Sequence, residues 1–104
     1  VKAEVSYQTT IIPTFNSYQQ TEAAIKAAKN IFGDKNTDGD CLPRLFSEDF
    51  AIMSDAKPGC FVLMGNGTKG SHSRPLHASD YDFNDELLVI GSSYWSDLVE
   101  QQLK

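Results

Sequence analysis

The residues best suited to chemistry lie in the stretch Arg74–Glu86, where one histidine, His77, precedes four acidic residues. An imidazole can ligate a transition metal or transfer a proton, but a metal site needs three or four ligands. Nothing else in the chain supplies those ligands at helical or hairpin spacing, and Asp80, Asp82 and Asp85 are better explained as turn and helix N-cap residues. From the residues alone, His77 is either a ligand or, as is commoner, a structural or exposed histidine.

A second candidate is the acidic segment Asp34–Asp40, DKNTDGD. It matches the first, third, fifth and sixth positions of an EF-hand loop with Asp34, Asn36, Asp38 and Gly39. Calcium also needs a bidentate carboxylate at the twelfth position, and that residue is Leu45. The segment is therefore predicted to be a solvated turn. A non-catalytic calcium- or partner-binding module built on it is the alternative function.

Two further polar groups are weaker candidates. Ser47, Glu48 and Asp49 are expected to begin a helix, where backbone N–H groups can bind an anion, although simple helix capping explains them equally well. His72, in Gly-Ser-His-Ser, is expected to be an ordinary surface histidine. No spacing suggests a Ser/His/Asp or Cys/His nucleophile pair.

Three helices must position these residues. The first is capped by Asn16 or Ser17, with Gln20 completing a capping box, and ends at Gly33. The second begins at Ser47 and runs to about Asp55. The third is capped by Asp82 or Asn84, and its apolar residues share one face: Leu87, Leu88, Gly91, Tyr94, Trp95, Leu98 and Val99.

Two segments have the pattern of strands. Residues Val1–Ile12 alternate apolar and polar side chains, which is typical of a half-buried strand. Cys60–Met64 is a continuous apolar run between Pro58-Gly59 and Gly65, as in a strand buried on both faces. The predicted fold class is therefore α/β, or α+β for an isolated piece, with a partial sheet and about three helices, and the strand neighbours of Cys60–Met64 are expected outside the chain.

Composition excludes several classes of function. The 104 residues carry a net charge of −5, which argues against a nucleic-acid partner because few cations are available to neutralise phosphates. No apolar run approaches the roughly 18 residues that span a bilayer. Cys41 and Cys60 are too far apart to form a metal knuckle, and they are predicted to be buried free thiols in a cytoplasmic protein.

A set of ordered motifs carries a family resemblance. The motifs are Ser47-Glu-Asp-Phe50, Pro58-Gly-Cys-Phe-Val-Leu-Met-Gly-Asn-Gly67, Leu76-His77, Tyr81-Asp-Phe-Asn-Asp85 and Gly91-x-x-Tyr-Trp95. In this order they resemble the C-terminal part of metal-dependent amidohydrolases, the hippurate hydrolase, N-acyl-amino-acid amidohydrolase and aminoacylase-like carboxypeptidase group. The similarity extends from about Glu4 to Leu103.

The resemblance implies a division of the chain between two domains. Residues 1–12 correspond to the last strand of a lid or dimerisation domain and its return linker. Residues 13–104 correspond to the C-terminal part of an aminopeptidase-like catalytic domain that carries two metal ions. The parent protein is expected to be a homodimer through the lid domain, and the missing N-terminal part of the same protein is expected to complete the site.

The resemblance also implies roles for individual residues. His77 matches a histidine that ligates a divalent metal, either zinc or manganese, while Ser47, Glu48 and Asp49 match a motif that lines the substrate cleft. The other ligands and the general-base glutamate belong to segments upstream, so no catalytic residue lies within this chain. The implied reaction cleaves the amide bond of N-acyl amino acids by a metal-activated water, and the 104-residue piece alone is predicted to be inactive.

The match departs from the family pattern at two points. Phe46 stands where the family has Gly or Ala, and Ala78-Ser79 stand where it has Asn or His and then Pro. These departures affect the expected substrate preference more than the metal role, because His77 itself is kept.

Overall fold

The computed structural model describes all residues from 1 to 104, and its regular structure is entirely helical. The three α-helices are α1 (Tyr18–Phe32), α2 (Phe50–Ala56) and α3 (Leu87–Gln102). Two short 3₁₀ turns, Asp34–Asn36 and Gly70–Ser73, lie between them. The helices join through long irregular segments, and none of them is long and apolar enough to cross a membrane.

The end of α1 is set by local chemistry that the sequence shows. Gly33 has φ +79°, a backbone conformation that L side chains rarely adopt, so the predicted stop at this glycine is confirmed. The side chains of Asn36 and Thr37 donate to the carbonyl oxygens of Phe32 and Gly33 at 2.9 and 3.0 Å. These bonds satisfy carbonyl groups that have no partner within the helix.

The predicted start of α1 is confirmed, but its capping box is wrong. Ser17 occupies the N-cap position, and its side chain makes no capping hydrogen bond. Its Oγ instead accepts the N–H of Gly59 at 3.2 Å, while the Ser17 N–H donates to the Gly59 carbonyl at 2.8 Å. The N-cap residue therefore ties the helix to a distant segment rather than to its own first turn.

The packed part of the molecule is the pair formed by α1 and α3. Ala24 and Ala27 on α1 and Tyr94 on α3 are three of the four buried residues of the chain. The Phe32 and Tyr94 rings stack with centroids 5.9 Å apart, and Asn30 Nδ2 donates to Asp97 Oδ2 at 3.2 Å. Small residues on α1 are compatible with close packing of the two helices.

The predicted α/β class with a partial sheet is wrong for this structure, because neither predicted strand forms. Residues 1–12 make no backbone hydrogen bond to the rest of the chain, and nearly all of them are exposed. Val62, Leu63 and Met64 are exposed as well. A strand exists only when a neighbour pairs with its N–H and C=O groups, and no segment within these residues is placed to do so.

A side chain replaces the neighbouring strand at one point. Asn16 Nδ2 donates to the Phe61 carbonyl at 2.9 Å, and the Phe61 N–H donates to Asn16 Oδ1 at 2.8 Å. The amide thus makes the pair of bonds that an adjacent strand residue would make. The segment is fixed against the start of α1, but the ladder does not continue beyond Phe61.

The surface of the chain is large for its length. Its accessible area is 8990 Å² and its radius of gyration is 17.5 Å, against about 5,800 Å² and about 13 Å for a compact domain of this size. An open apolar groove of about 660 Å³ runs between α1, α3 and the segment 62–65. Its apolar lining includes Ile31, Phe32, Val62, Leu63, Met64, Leu87 and Ile90.

Candidate functional site

His77 lies in the segment that connects the second 3₁₀ turn to α3. It is the one residue other than glycine with a positive φ, +71°. Its side chain is exposed and makes no hydrogen bond to the protein, so both ring nitrogens are free to ligate a metal or carry a proton. A non-glycine residue in this conformation is uncommon, and such residues cluster where the surrounding structure imposes the geometry.

Two successive turns impose the geometry at His77. The Ala78 N–H donates to the Pro75 carbonyl and the Tyr81 N–H donates to the Ala78 carbonyl, both at 3.1 Å. Arg74 bridges the two turns, with Nη1 donating to the Asp80 carbonyl at 2.7 Å and Nε lying 3.2 Å from Asp80 Oδ2. The structure therefore assigns Asp80 to a turn tether, as the sequence predicted.

A larger loop, Gly65–Glu86, contains these turns, and we call it the His77 loop. One amide, that of Asn66, joins its two ends. Asn66 Nδ2 donates to the carbonyl oxygens of His72 and Asp82 at 3.1 and 2.8 Å, and Oδ1 accepts the N–H of Asn84 at 2.8 Å. The sequence marked Gly65-Asn66-Gly67 only as the end of an apolar run, because the partners of Asn66 lie 6 to 18 residues away.

His72 lies at the surface, as predicted, with its side chain 38% exposed, but its ring contacts the same loop. Its Nδ1 lies 3.3 Å from the Asp82 carbonyl oxygen and 3.9 Å from Asp82 Oδ2. Ser71 Oγ donates to the same carboxylate at 2.7 Å. Asp82 is thus occupied within the loop, and it does not cap α3.

Asn84 forms the turn that leads into α3, whose N-cap residue, Glu86, makes no side-chain capping bond. Asn84 Oδ1 accepts the Glu86 N–H at 3.2 Å, and the Asn84 carbonyl accepts the Leu87 N–H at 2.9 Å. The N-cap residue of α3 is Glu86, so both predicted caps, Asp82 and Asn84, are wrong. Of the four acids after His77, Asp80 and Asp82 thus hold contacts within the loop.

Ser47, Glu48 and Asp49 lie at the beginning of α2. The helix starts at Phe50 with Asp49 at the N-cap position, two residues later than the predicted cap Ser47. Ser47 and Asp49 are exposed, and Glu48 is half-buried with Oε1 accepting the Phe50 N–H at 3.4 Å. No hydrogen bond or ion pair links these three residues to His77, so their role in a cleft stays a prediction.

The acidic segment Asp34–Asp40 uses its side chains for other contacts. Asp34 pairs with Lys29 at 3.1 Å, and Asp38 Oδ1 accepts the Asp40 N–H at 3.0 Å. With Asn36 bonded to the end of α1, the EF-hand candidates bond to separate partners of their own. The solvated turn explains this segment.

The metal-ligating side chains of this chain do not form a complete metal site. No group of three or more His, Cys, Asp or Glu side chains that could hold a metal ion occurs within these 104 residues. Cys41 and Cys60 are free thiols, as predicted, but the predicted burial is wrong, because Cys41 is exposed and Cys60 only half-buried. The donor chemistry of this chain thus fits a single imidazole ligand at His77, and a complete site needs ligands from elsewhere.

Comparison with known proteins gives one consistent assignment. The model of a family described as "Peptidase family M20/M25/M40" matches residues 2–101. The hippurate hydrolase of Campylobacter jejuni is 33% identical over 91 residues, which is 88% of this chain and 23% of that protein. The IAA-amino acid hydrolase ILR1-like 5 of Arabidopsis thaliana is 40% identical over 65 residues, 60% of this chain and 14% of that protein. No solved structure matches the chain significantly.

Proposed function

We propose, from the premise that this chain belongs to peptidase family M20/M25/M40, that it is part of a longer metal-dependent amidohydrolase cleaving N-acyl amino acids of the hippurate type. The family match covers nearly the whole chain. The chain spans less than a quarter of the length of either relative. Activity, substrate and partners therefore belong to the proposed longer protein.

The relatives support the reaction class. Both have hydrolase names, one for hippurate and one for IAA-amino acids. An amide link between an acyl group and an amino acid is the bond that the sequence motifs implied. Zinc or manganese as the metal, two ions per site and a dimer through the lid domain remain expectations of the resemblance.

The surface of the chain supports its being part of a larger assembly. Only four of its 104 residues are buried, and its area is about half as large again as that of a compact domain. The exposed large apolar residues include Val62, Leu63, Leu88 and Trp95. Side chains of this kind are usually covered by another part of the protein.

The observation that carries the proposal is the placement of His77. Its imidazole is exposed, unbonded and held in a left-handed conformation by two turns. In this proposal His77 provides one ligand, and the remaining ligands and a glutamate general base come from outside these residues. A bound divalent ion would polarise the amide carbonyl and lower the pKa of a bound water.

The test uses the complete protein as its gene encodes it. We expect it to release glycine from hippurate, to lose this activity with a chelator and to regain it with zinc or manganese. His77→Ala should lower metal affinity by more than about 100-fold, since even partners behind a ligand are worth about 10–100-fold. His72→Gln is the matched control and should retain its metal.

Two outcomes would contradict the proposal. Full activity after exhaustive removal of metal would reject a metal-dependent reaction. An unchanged metal affinity in His77→Ala would remove this residue from the site. The 104-residue chain alone should be inactive, because one imidazole is not a metal site.

A calcium-binding function of Asp34–Asp40 has no observation in its favour. The side chains of Asp34, Asn36 and Asp38 are bonded to separate partners. No cluster of acidic residues forms around them.

A further inference from the structure

We propose that Asn66 is the positioning residue of the metal ligand His77, holding the loop in the shape that presents the imidazole. This inference rests on the proposed function, in which His77 binds metal. Asn66 does not contact the reacting atoms in this proposal, and it acts through the backbone of the His77 loop.

The first observation is the reach of the Asn66 amide. Its two donated bonds hold the carbonyl groups of His72 and Asp82, and its accepted bond holds the N–H of Asn84. His77 lies midway between His72 and Asp82 in the chain. One side chain thus fixes both ends of the segment that has His77 at its centre.

The second observation is the conformation of His77. A φ of +71° is unfavourable for a residue with a Cβ, so the loop must restrain the backbone for His77 to keep it. The short turns around Pro75–Tyr81 act locally. Ser71 and His72 also contact Asp82, but the Asn66 amide is the one group that bonds His72, Asp82 and Asn84 together. Without it, the two ends would lose three hydrogen bonds and His77 could relax to negative φ.

The third observation is the close fit next to Asn66. Gly67 has φ +141°, and a Cβ at this position would lie 2.9 Å from the His72 Cβ. A larger residue at position 67 would therefore push the His72 turn away from the amide that holds it. The missing side chain at Gly67 thus leaves room for the His72 turn beside Asn66.

The chain contains a matched control for a merely structural asparagine. Asn16 also bridges backbone groups through both ends of its amide, at 2.9 and 2.8 Å, but its partner is Phe61. Asn16 makes no contact with the His77 loop in the hydrogen bonds of the structure. If Asn66 only stabilised the fold, Asn66→Ala and Asn16→Ala would behave alike.

The experiment compares variants of the complete protein by metal competition titration, thermal unfolding and hydrogen exchange of residues 70–84. We expect Asn66→Ala to weaken metal affinity by about 10–100-fold, the range for groups that orient a ligand. Exchange in residues 70–84 should rise. Asn16→Ala should lower the unfolding temperature without either effect.

Asn66→Asp is the second variant because it has nearly the same shape. It keeps the acceptor for the Asn84 N–H and loses both donors. It should also weaken metal affinity while the protein stays folded. The His77→Ala variant measured in the same series reports the proposed function separately.

The outcomes are distinct. Weakened affinity in His77→Ala together with unchanged affinity in Asn66→Ala or Asn66→Asp would overturn the positioning role and leave the proposed function standing. Unchanged affinity in His77→Ala would overturn both. Loss of the fold in both Asn66 variants would overturn the proposal in favour of a structural role.

Discussion

The helix pair α1–α3 and the His77 loop are held together by different forces. The pair contains three of the four buried residues, Ala24, Ala27 and Tyr94, and Tyr94 stacks on Phe32. The His77 loop contains no buried residue, and hydrogen bonds from side chains to the backbone give it its shape. Apolar packing thus fixes where the helices lie, and polar bonds fix where the candidate ligand points.

The difference predicts that stability and metal binding separate by region. Core substitutions cost transfer and cavity energy, whereas loop substitutions lose modest individual bonds. Changes in the helix pair should therefore lower stability with little effect on the ligand. Changes in the loop should do the reverse.

The largest effect on stability is expected at Tyr94. Tyr94→Ala should destabilise the complete protein by about 3 kcal/mol, because it empties a buried aromatic site and removes a stacked pair. Urea unfolding measures the change, and Tyr94→Phe is the control that keeps the ring. Metal affinity should be unchanged in the folded variant, and a parallel loss of metal would show that the two regions are not independent.

A smaller effect on stability is expected at His77, where the substitution also removes the proposed metal ligand. Both His77→Gly and His77→Ala should lose the proposed ligand, but the glycine variant should be more stable than the alanine variant by about 1 kcal/mol. Glycine accepts φ +71° without the steric penalty that a Cβ carries. Equal unfolding midpoints for the two variants would show that the loop does not constrain this residue.

A still smaller effect is expected from the exposed tether of the loop. Asp80→Asn should cost about 0.5 kcal/mol or less, since the ion pair with Arg74 is solvent-exposed and the bond to the Asp80 carbonyl remains. Unfolding in low and high salt should show that any loss disappears on screening. A loss that persists in high salt would mean that the pair does more than a surface ion pair.

The smallest effect on stability at neutral pH is expected from the ionisation of the Tyr94 phenol, which matters only at alkaline pH. Burial raises the pKa of its phenol, and the nearby Cys60 thiolate raises it further. Above about pH 10 the unfolded chain therefore releases the Tyr94 proton before the folded chain does, so stability should fall as pH rises beyond that point. Unfolding midpoints between pH 8 and 11 for the protein and Tyr94→Phe would reveal this slope as a difference between them.

The helices could be predicted because their causes are local. The N-cap position of α1 at Ser17 and the stop at Gly33 depend on neighbours within a few residues, and both were found as predicted. The motifs also carried the family membership without any geometry. The starts of α2 and α3 were misplaced because competing caps lie next to each other, and only the surrounding contacts select one.

Whether the two predicted strands form could not be decided from the sequence, because strand formation depends on a pairing segment far away along the chain. Cys60–Met64 has the composition of a buried strand, yet a strand is defined by the neighbour that pairs with it. Within these residues only the Asn16 amide provides such a neighbour, at Phe61 alone. The alternation of apolar and polar residues in Val1–Ile12 likewise predicted a strand without showing which segment would pair with it.

For the candidate site, the sequence by itself identified His77 as a candidate ligand, and its motifs identified the family of the chain. Tertiary structure decided its left-handed backbone, its free imidazole and the Asn66 bonds within its loop. The physical reason is distance along the chain. A residue type and a short spacing can be read from neighbours, but the bonds of Asn66 to Asp82 and Asn84 form only after the chain has folded back across 16 and 18 residues.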